Sequence, residues 1–335
     1  MKFDVSIAPD SLAEVPDLAR AVEALGFDAV WTSETHHDPF QPLAVLSGHT
    51  QRIQFGTAIA VAFARSPTVL AHTAWDLAKS SGGRFILGLG TQVKPHIERR
   101  FGMTWPDSPV GKMRETIEAI RAVWSAWQTG ERLDYRGRYF KLGLMTPFFN
   151  PGPISDPDIP IYIAGVNRGL CRLAGEAADG FHAHPYHSVR YLREVVLSSI
   201  KEGAKAVGRD PREIELSVTA MIAENPGEAG FMRSQIAFYA STPSYRPVMA
   251  LHGWGDVADR LSGLARRQAW DDMTDLITEE ILETFAVVAP RDRLGEVLRS
   301  RYQGLADRLT PYVPFSLSDR NSLWAETLVG FRNPT

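Results

Sequence analysis

Cysteine is nearly absent: Cys171 is the only one in 335 residues. An intramolecular disulfide is therefore excluded, as is any CxxC redox or zinc chemistry. Cys171 falls in an apolar helical pattern, which suits a buried structural thiol. An excess of charge of one sign is also missing. Lys+Arg number 36 and Asp+Glu 39, a net charge of −3, so there is no electrostatic basis for nucleic-acid binding. No apolar run reaches the ~20 residues that cross a bilayer. The first residues, MKFDVSIAPDSLAEV, lack the long apolar core and small-residue cleavage site of a secretory signal. From these absences a cytoplasmic protein is expected. GxSxG, Walker A and HExxH are missing too, which sets aside the common hydrolase and NTPase chemistries. Gly88-x-Gly90 does not complete a dinucleotide fingerprint, because Val93 stands where the third glycine belongs. What remains is 44% hydrophobic and 22% charged, an ordinary globular composition.

The stretch from Phe55 to Gln92 is the most telling. Phe55 to Ala60 is short, apolar and suited to a buried strand. Pro67 opens a helix at the position where its missing N–H costs nothing. Leu70, Ala74, Leu77 and Ala78 form that helix's apolar face, Gly82-Gly83 stops it, and Arg84 to Gly88 starts a second buried strand. Strand, crossover helix and strand without polar alternation imply a parallel sheet covered on both faces. The same unit recurs. Strands are predicted at Phe3–Ala8, Ala29–Thr32, Ile161–Ala164, Gly180–Ala183, Ile214–Ala220 and Leu309–Val313. Helices are predicted after Leu12, from Val110 to Trp127, from Cys171 to Ala178, from Tyr191 to Val207 and from Pro290 to Tyr302. Leu133 to Phe140 reads as an added hairpin and 145–160 as a long surface loop. Residues 227–284 read as a helical insertion, without a strand, near the active face. About eight βα units in one chain predict a single TIM (β/α)8 barrel over 1–335, with insertions.

In such a barrel the C-terminal strand ends carry the site. At the second strand end, Glu34, His36 and His37 combine a carboxylate with imidazoles, a set that can move protons near neutral pH. We favour His37, held by Asp38 and Pro39, as the proton-transfer group. The alternatives are His36, or two imidazoles that merely line a pocket. At the fourth strand end, Thr91 and Gln92 are placed to hydrogen-bond a ligand, with His96 close by in sequence. Gly165, Val166 and Asn167 lie at a helix start, where free N–H groups attract an anion. His182 and His184 share one strand face, so a metal is one reading; without further ligands nearby, pocket lining is the better one. Trp31, Phe63, Tyr186, Tyr239, Tyr245 and Trp254 form either an aromatic wall or plain core.

Gly56-Thr57, Arg65-Ser66-Pro67, Leu70-Ala71, Asp76-Leu77, Ser81-Gly82-Gly83-Arg84 and Gly88-Leu89-Gly90-Thr91 together resemble the bacterial luciferase-like monooxygenase superfamily. Ala174-Gly175-Glu176-Ala177-Ala178-Asp179-Gly180 adds to the likeness, which runs from about residue 3 to about 315. Within the superfamily the chain is most similar to the coenzyme F420-dependent branch. The resemblance implies hydride transfer between F420 and a small organic substrate, with a reductase or dehydrogenase supplying reduced cofactor, and a homodimer. It also leaves open a reduced-FMN monooxygenase, or a flavin-binding protein without catalysis. It places cofactor phosphate at Gly165, Val166 and Asn167. It implies a non-prolyl cis peptide at Thr57–Ala58 against the back of the ring, with both residues in contact with cofactor. It offers Lys94, Arg99 and Arg100 to a phosphate or polyglutamate tail. One departure stands out: Thr35 occupies the place of the family's usual histidine, one residue before His36.

Overall fold

The expected strands pair edge to edge, and every pairing among them is parallel. The computed structural model describes residues 1–317 and 321–333, with the side chains of 321 and 322 left aside. The strands follow the ring in chain order: β1 in two pieces (Lys2–Phe3 and Val5–Ser6), β2 (Ala29–Thr32), β3 (Gln54–Thr57), β4 (Phe85–Gly90), β5 (Ile161–Gly165), β6 (Gly180–Ala183), β7 (Glu215–Ala223) and β8 (Arg308–Pro311). Closure occurs at β1. Lys2 and Phe3 pair with Arg308 and Leu309, whereas Val5 and Ser6 pair with Val30 and Trp31. This is the expected eight-stranded barrel.

Local signals set the helix ends. In α1 (Val15–Leu25) the apolar spacing buries Val15, Leu18 and Val22, and Gly26 ends the helix at φ 90°, a left-handed value that favours glycine. The helix α2 (Phe40–Ser47) was not anticipated; it is short and lacks the polar face that periodicity detects. In α3 (Pro67–Ser81) the Ser66 hydroxyl accepts from the Val69 N–H at 3.2 Å. A single turn or two, α4 (Lys94–Arg99), leads to α5 (Pro109–Thr129), which buries Met113, Ile117, Ile120 and Trp124 as its spacing predicts. The hairpin pairs Tyr135–Arg136 with Lys141–Leu142, and a long loop to β5 follows. Next come α6 (Arg168–Ala177) and α7, the latter built from Val189–Tyr191, a π-helical stretch Leu192–Leu197, and Ser198–Ala206.

The insertion after β7 begins with α8 (Pro226–Ala240) and continues through short helices to Phe285. It ends in a strand that its composition did not predict: Ala286–Val288 pairs with Met221–Ala223 of β7. The helix α9 (Arg291–Tyr302) precedes β8, and α10 (Asn321–Arg332), also unanticipated, packs on α9. Their backbones approach so closely that a Cβ on Gly295 would lie 2.1 Å from Thr327 O.

Alternation along the strands fills the barrel from its N-terminal end. Arg308 and Asp4 are both fully buried there and form an ion pair at 2.7 Å. Arg308 also donates to Gln54 Oε1 at 2.9 Å, and the Trp31 indole N–H donates to Asp4 Oδ2 at 3.0 Å. Every charge in this plug has a partner, which the low dielectric of the interior demands. One layer higher, His182 meets the Trp31 and Tyr162 rings at 4.8 and 5.1 Å.

Candidate active site

Above His182 the interior opens. Ser6, Ala58, Ala164, Gly165, His184 and Thr219 face or flank the mouth, and all are half-exposed, whereas the layers below are sealed. The mouth has two unlike halves. Its β3–β5 side is built of very small residues. Its β6–β8 side is aromatic and is covered by the insertion.

The small-residue side leaves room through close backbone packing. A Cβ on Gly88 would lie 1.7 Å from Thr57 O, and one on Gly90 would lie 2.6 Å from the Ile59 side chain. Two expectations need correction here. The cis peptide bond is Ala58–Ile59, one residue beyond the expected position. Thr57 is also no mouth residue. It is fully buried, and its hydroxyl donates to Gly88 O at 2.6 Å and accepts from Gly88 N–H at 3.0 Å. Ala58 does lie half-exposed at the mouth. Thr91 and Gln92 follow β4, also half-exposed. Gln92 adopts φ 60°, and its side-chain oxygen accepts from Val93 N–H at 3.0 Å. His96 is exposed on α4.

Glu34 is buried after β2, and its carboxylate is committed. Its Oε2 accepts from Val61 N–H at 2.7 Å and from Arg65 at 2.6 Å. Arg65 reaches Asp38 Oδ2 at 2.8 Å with its other terminal nitrogen. The expected hold of Asp38 on His37 is not seen, because Asp38 Oδ1 instead accepts the N–H groups of Phe40 and Gln41 at the start of α2. Arg100 donates to Thr35 O and pins the same loop from α4. His36 and His37 are exposed between these anchors. The loop is thus fixed while its imidazoles face solvent.

At the end of β5, α6 begins without a side-chain cap. Its first N–H groups are left for another acceptor. Asn167, in the capping position, instead donates from Nδ2 to Ser244 O of the insertion at 3.0 Å. Gly165 is required because a Cβ there would lie 2.7 Å from Leu170. Val166 is buried, and its carbonyl accepts from the Tyr191 hydroxyl at 3.2 Å.

On the aromatic side, His184 packs against Tyr239 and Tyr245, with ring centroids 4.7 and 4.9 Å apart. The Tyr186 N–H donates to His184 Nδ1 at 3.1 Å. Tyr239 shares a 2.9 Å hydroxyl contact with Tyr312, which donates to Gln235 Oε1 at 2.9 Å. His187 lies deeper, with Nδ1 2.8 Å from His184 O and Nε2 3.1 Å from the Tyr302 hydroxyl. The three histidines therefore serve three different sets of neighbours, and among the described residues no group of three or more His, Cys, Asp or Glu is arranged to hold a metal. Burial holds the imidazoles neutral: His182 and His184 fall to about 3 and His187 to about 4. Tyr312 and Gln235 escaped the sequence reading; only β8's alternation from Arg308 to Tyr312 hinted at the former. A separate cleft of about 760 Å³, lined by Arg121, Trp124, Asp158 and Asp179, lies by the N-terminal ends of β5 and β6, away from the mouth.

No described helix is long and apolar enough to cross a membrane. Comparison with known proteins agrees with this architecture. The family model for luciferase-like monooxygenases matches residues 2–308. An uncharacterized protein of Mycobacterium tuberculosis is 45% identical over 317 residues, covering 93% of each chain. A 5,10-methylenetetrahydromethanopterin reductase of Methanolobus tindarius is 28% identical, covering 89% of this chain and 91% of its own. The solved structure of the coenzyme F420 dependent tetrahydromethanopterin reductase of Methanopyrus kandleri superposes with a TM-score of 0.79 at 22% identity, covering 98% of this chain and 97% of that one. The chain belongs to the luciferase-like monooxygenase family.

Proposed function

We propose that this protein is an oxidoreductase that moves a hydride between coenzyme F420 and a small organic substrate. The observation that carries this reading is a half-exposed floor almost free of side chains, Ala58, Ala164 and Gly165, directly beside the uncapped start of α6. A planar ring needs the first feature and an attached phosphate the second. When bound, F420 supplies a ring carbon that gives or takes a hydride. Thr91 and Gln92 flank the ring's side of the mouth. Gly165, Val166 and Asn167 offer backbone N–H groups to phosphate. His37 or His36, on the anchored loop after β2, gives or takes the proton that accompanies the hydride. Glu34 acts as a positioning residue, because its Oε2 ties that loop to the end of β3 through Val61 and Arg65.

The likeness to methanopterin reductases supports F420. The family's description as monooxygenases favours a second reading, oxygen activation with reduced FMN. Titrating purified protein with F420 and with FMN, each oxidised and reduced, separates the two by fluorescence. Tighter binding of F420 is expected. Tighter binding of FMN moves the assignment to a monooxygenase that needs a reductase partner, and binding of neither sinks both readings.

A further inference from the structure

The aromatic half of the mouth has a particular polar pattern. His184 follows His182 at the two-residue period of a strand and so lies on the barrel's inner side, one layer higher. Its Nδ1 accepts the Tyr186 N–H at 3.1 Å, which leaves the ring proton of the neutral imidazole on Nε2. Among the described residues nothing accepts that proton, and His184 is half-exposed. Tyr245 contributes a hydroxyl without a partner among the described residues, and its ring lies 4.9 Å from the imidazole. The hydroxyls of Tyr239 and Tyr312 are already spent on each other and on Gln235.

Charge is missing as well. Burial is the main influence on His184, Tyr239, Tyr245 and Tyr312, and otherwise only His187, Tyr239, Tyr245 and Tyr312 act on them. Among the described residues no Lys, Arg, Asp or Glu perturbs any of the four. Arg246, beside Tyr245 in sequence, is turned to Asp259 at 2.8 Å. A phosphate or carboxylate on a ligand here would lose water without gaining a cation. A carbonyl oxygen would gain two donors against aromatic walls.

We propose that this half of the mouth is a substrate pocket for an uncharged, largely apolar molecule bearing one hydrogen-bond-accepting oxygen, a ketone or aldehyde or the corresponding alcohol, received by His184 Nε2–H and the Tyr245 hydroxyl. The inference rests on the reading that the opposite half holds the cofactor ring. It assigns His184 to substrate binding as a neutral donor, not as an acid.

The test uses the full chain, with acetophenone as the uncharged probe and benzoate and phenyl phosphate as charged ones, followed by saturation-transfer NMR titration with and without F420. Acetophenone should bind at least tenfold more tightly than either anion. Removing one neutral hydrogen bond in His184→Phe or Tyr245→Phe should weaken acetophenone roughly three- to tenfold, while His184→Gln, which keeps an N–H donor, should recover much of the loss. F420 affinity should stay within about twofold in all three variants. Equal or tighter binding of the anions overturns the proposal, and so does acetophenone affinity unmoved by Tyr245→Phe, a half-exposed change that leaves the fold intact. If F420 fails to bind the parent protein while the acetophenone pattern holds, the cofactor assignment falls and the pocket stands.

Discussion

The Glu34–Arg65–Asp38 clamp gives the sharpest expectation about how this site is held. Glu34→Ala removes a carboxylate that receives two hydrogen bonds, from Val61 N–H at 2.7 Å and Arg65 at 2.6 Å. Breaking a buried ion pair from one side costs about 3–5 kcal/mol. Two features reduce that here. The Arg65 side chain is 17% exposed, so water screens part of the loss, and it keeps Asp38 at 2.8 Å. The stranded Val61 N–H restores about 1 kcal/mol of the cost. We expect Glu34→Ala to lose about 2–4 kcal/mol and Glu34→Gln, which still accepts from Val61, about 1–2 kcal/mol. Asp38 is 36% exposed on its side chain, so Asp38→Asn should cost about 1 kcal/mol or less. Urea unfolding followed by circular dichroism reads these values as midpoint shifts at constant slope. A loss under about 0.5 kcal/mol for Glu34→Ala would refute the clamp and return Glu34 to the list of free acids.

Three further expectations follow from other parts of the molecule. Gly88→Ala puts a Cβ 1.7 Å from Thr57 O and should cost more than about 3 kcal/mol or abolish soluble expression; a midpoint within error of the parent would mean that β3 and β4 are not so close. His187 is held neutral, falling to about 4 through burial, whereas the unfolded chain protonates near 6.5. Its share of stability is therefore complete above about pH 6.5 and lost as pH falls towards 4, at most about 3 kcal/mol, so His187→Gln should flatten the stability profile between pH 6 and 4.5, and an unchanged slope would contradict the burial argument. His37→Ala removes an exposed imidazole with no hydrogen-bond partner among the described residues; stability should shift by less than about 0.5 kcal/mol while steady-state turnover drops at least tenfold, and intact turnover would exclude it from proton transfer.

What the residues announced and what they hid divide along one physical line. Contacts that are near in sequence were readable. Pro67 opens α3, Gly82-Gly83 stops it, and the uniform apolarity from Phe85 onward marks a strand buried on both faces. The small residues closing β4 and β5 led to the mouth for the same reason. Contacts between distant segments left no local trace. Nothing in the surrounding sequence says that Thr57 gives its hydroxyl to Gly88 or that Tyr312 meets Tyr239. Glu34 reads equally well as a free acid or as an anchor until Arg65 is placed beside it. The fold was thus legible from patterning, whereas the division of the mouth into a bare half and an aromatic half depends on which strands become neighbours.

The seam where the barrel closes bears on how the molecule comes into being. Asp4 and Arg308 are 304 positions apart, so the chain must be almost entirely synthesised before either charge finds its mate. Until then the β1 edge at Lys2–Phe3 and the β7 edge at Ser217–Ala220 stay unpaired, and such edges invite pairing with another chain. Contacts of long sequence separation are slow to form because loop closure precedes their reward. A nascent chain ending before β8 is thus an open sheet with an unpaired Asp4 at its rim, the kind of species that chaperones hold and that aggregates when they do not.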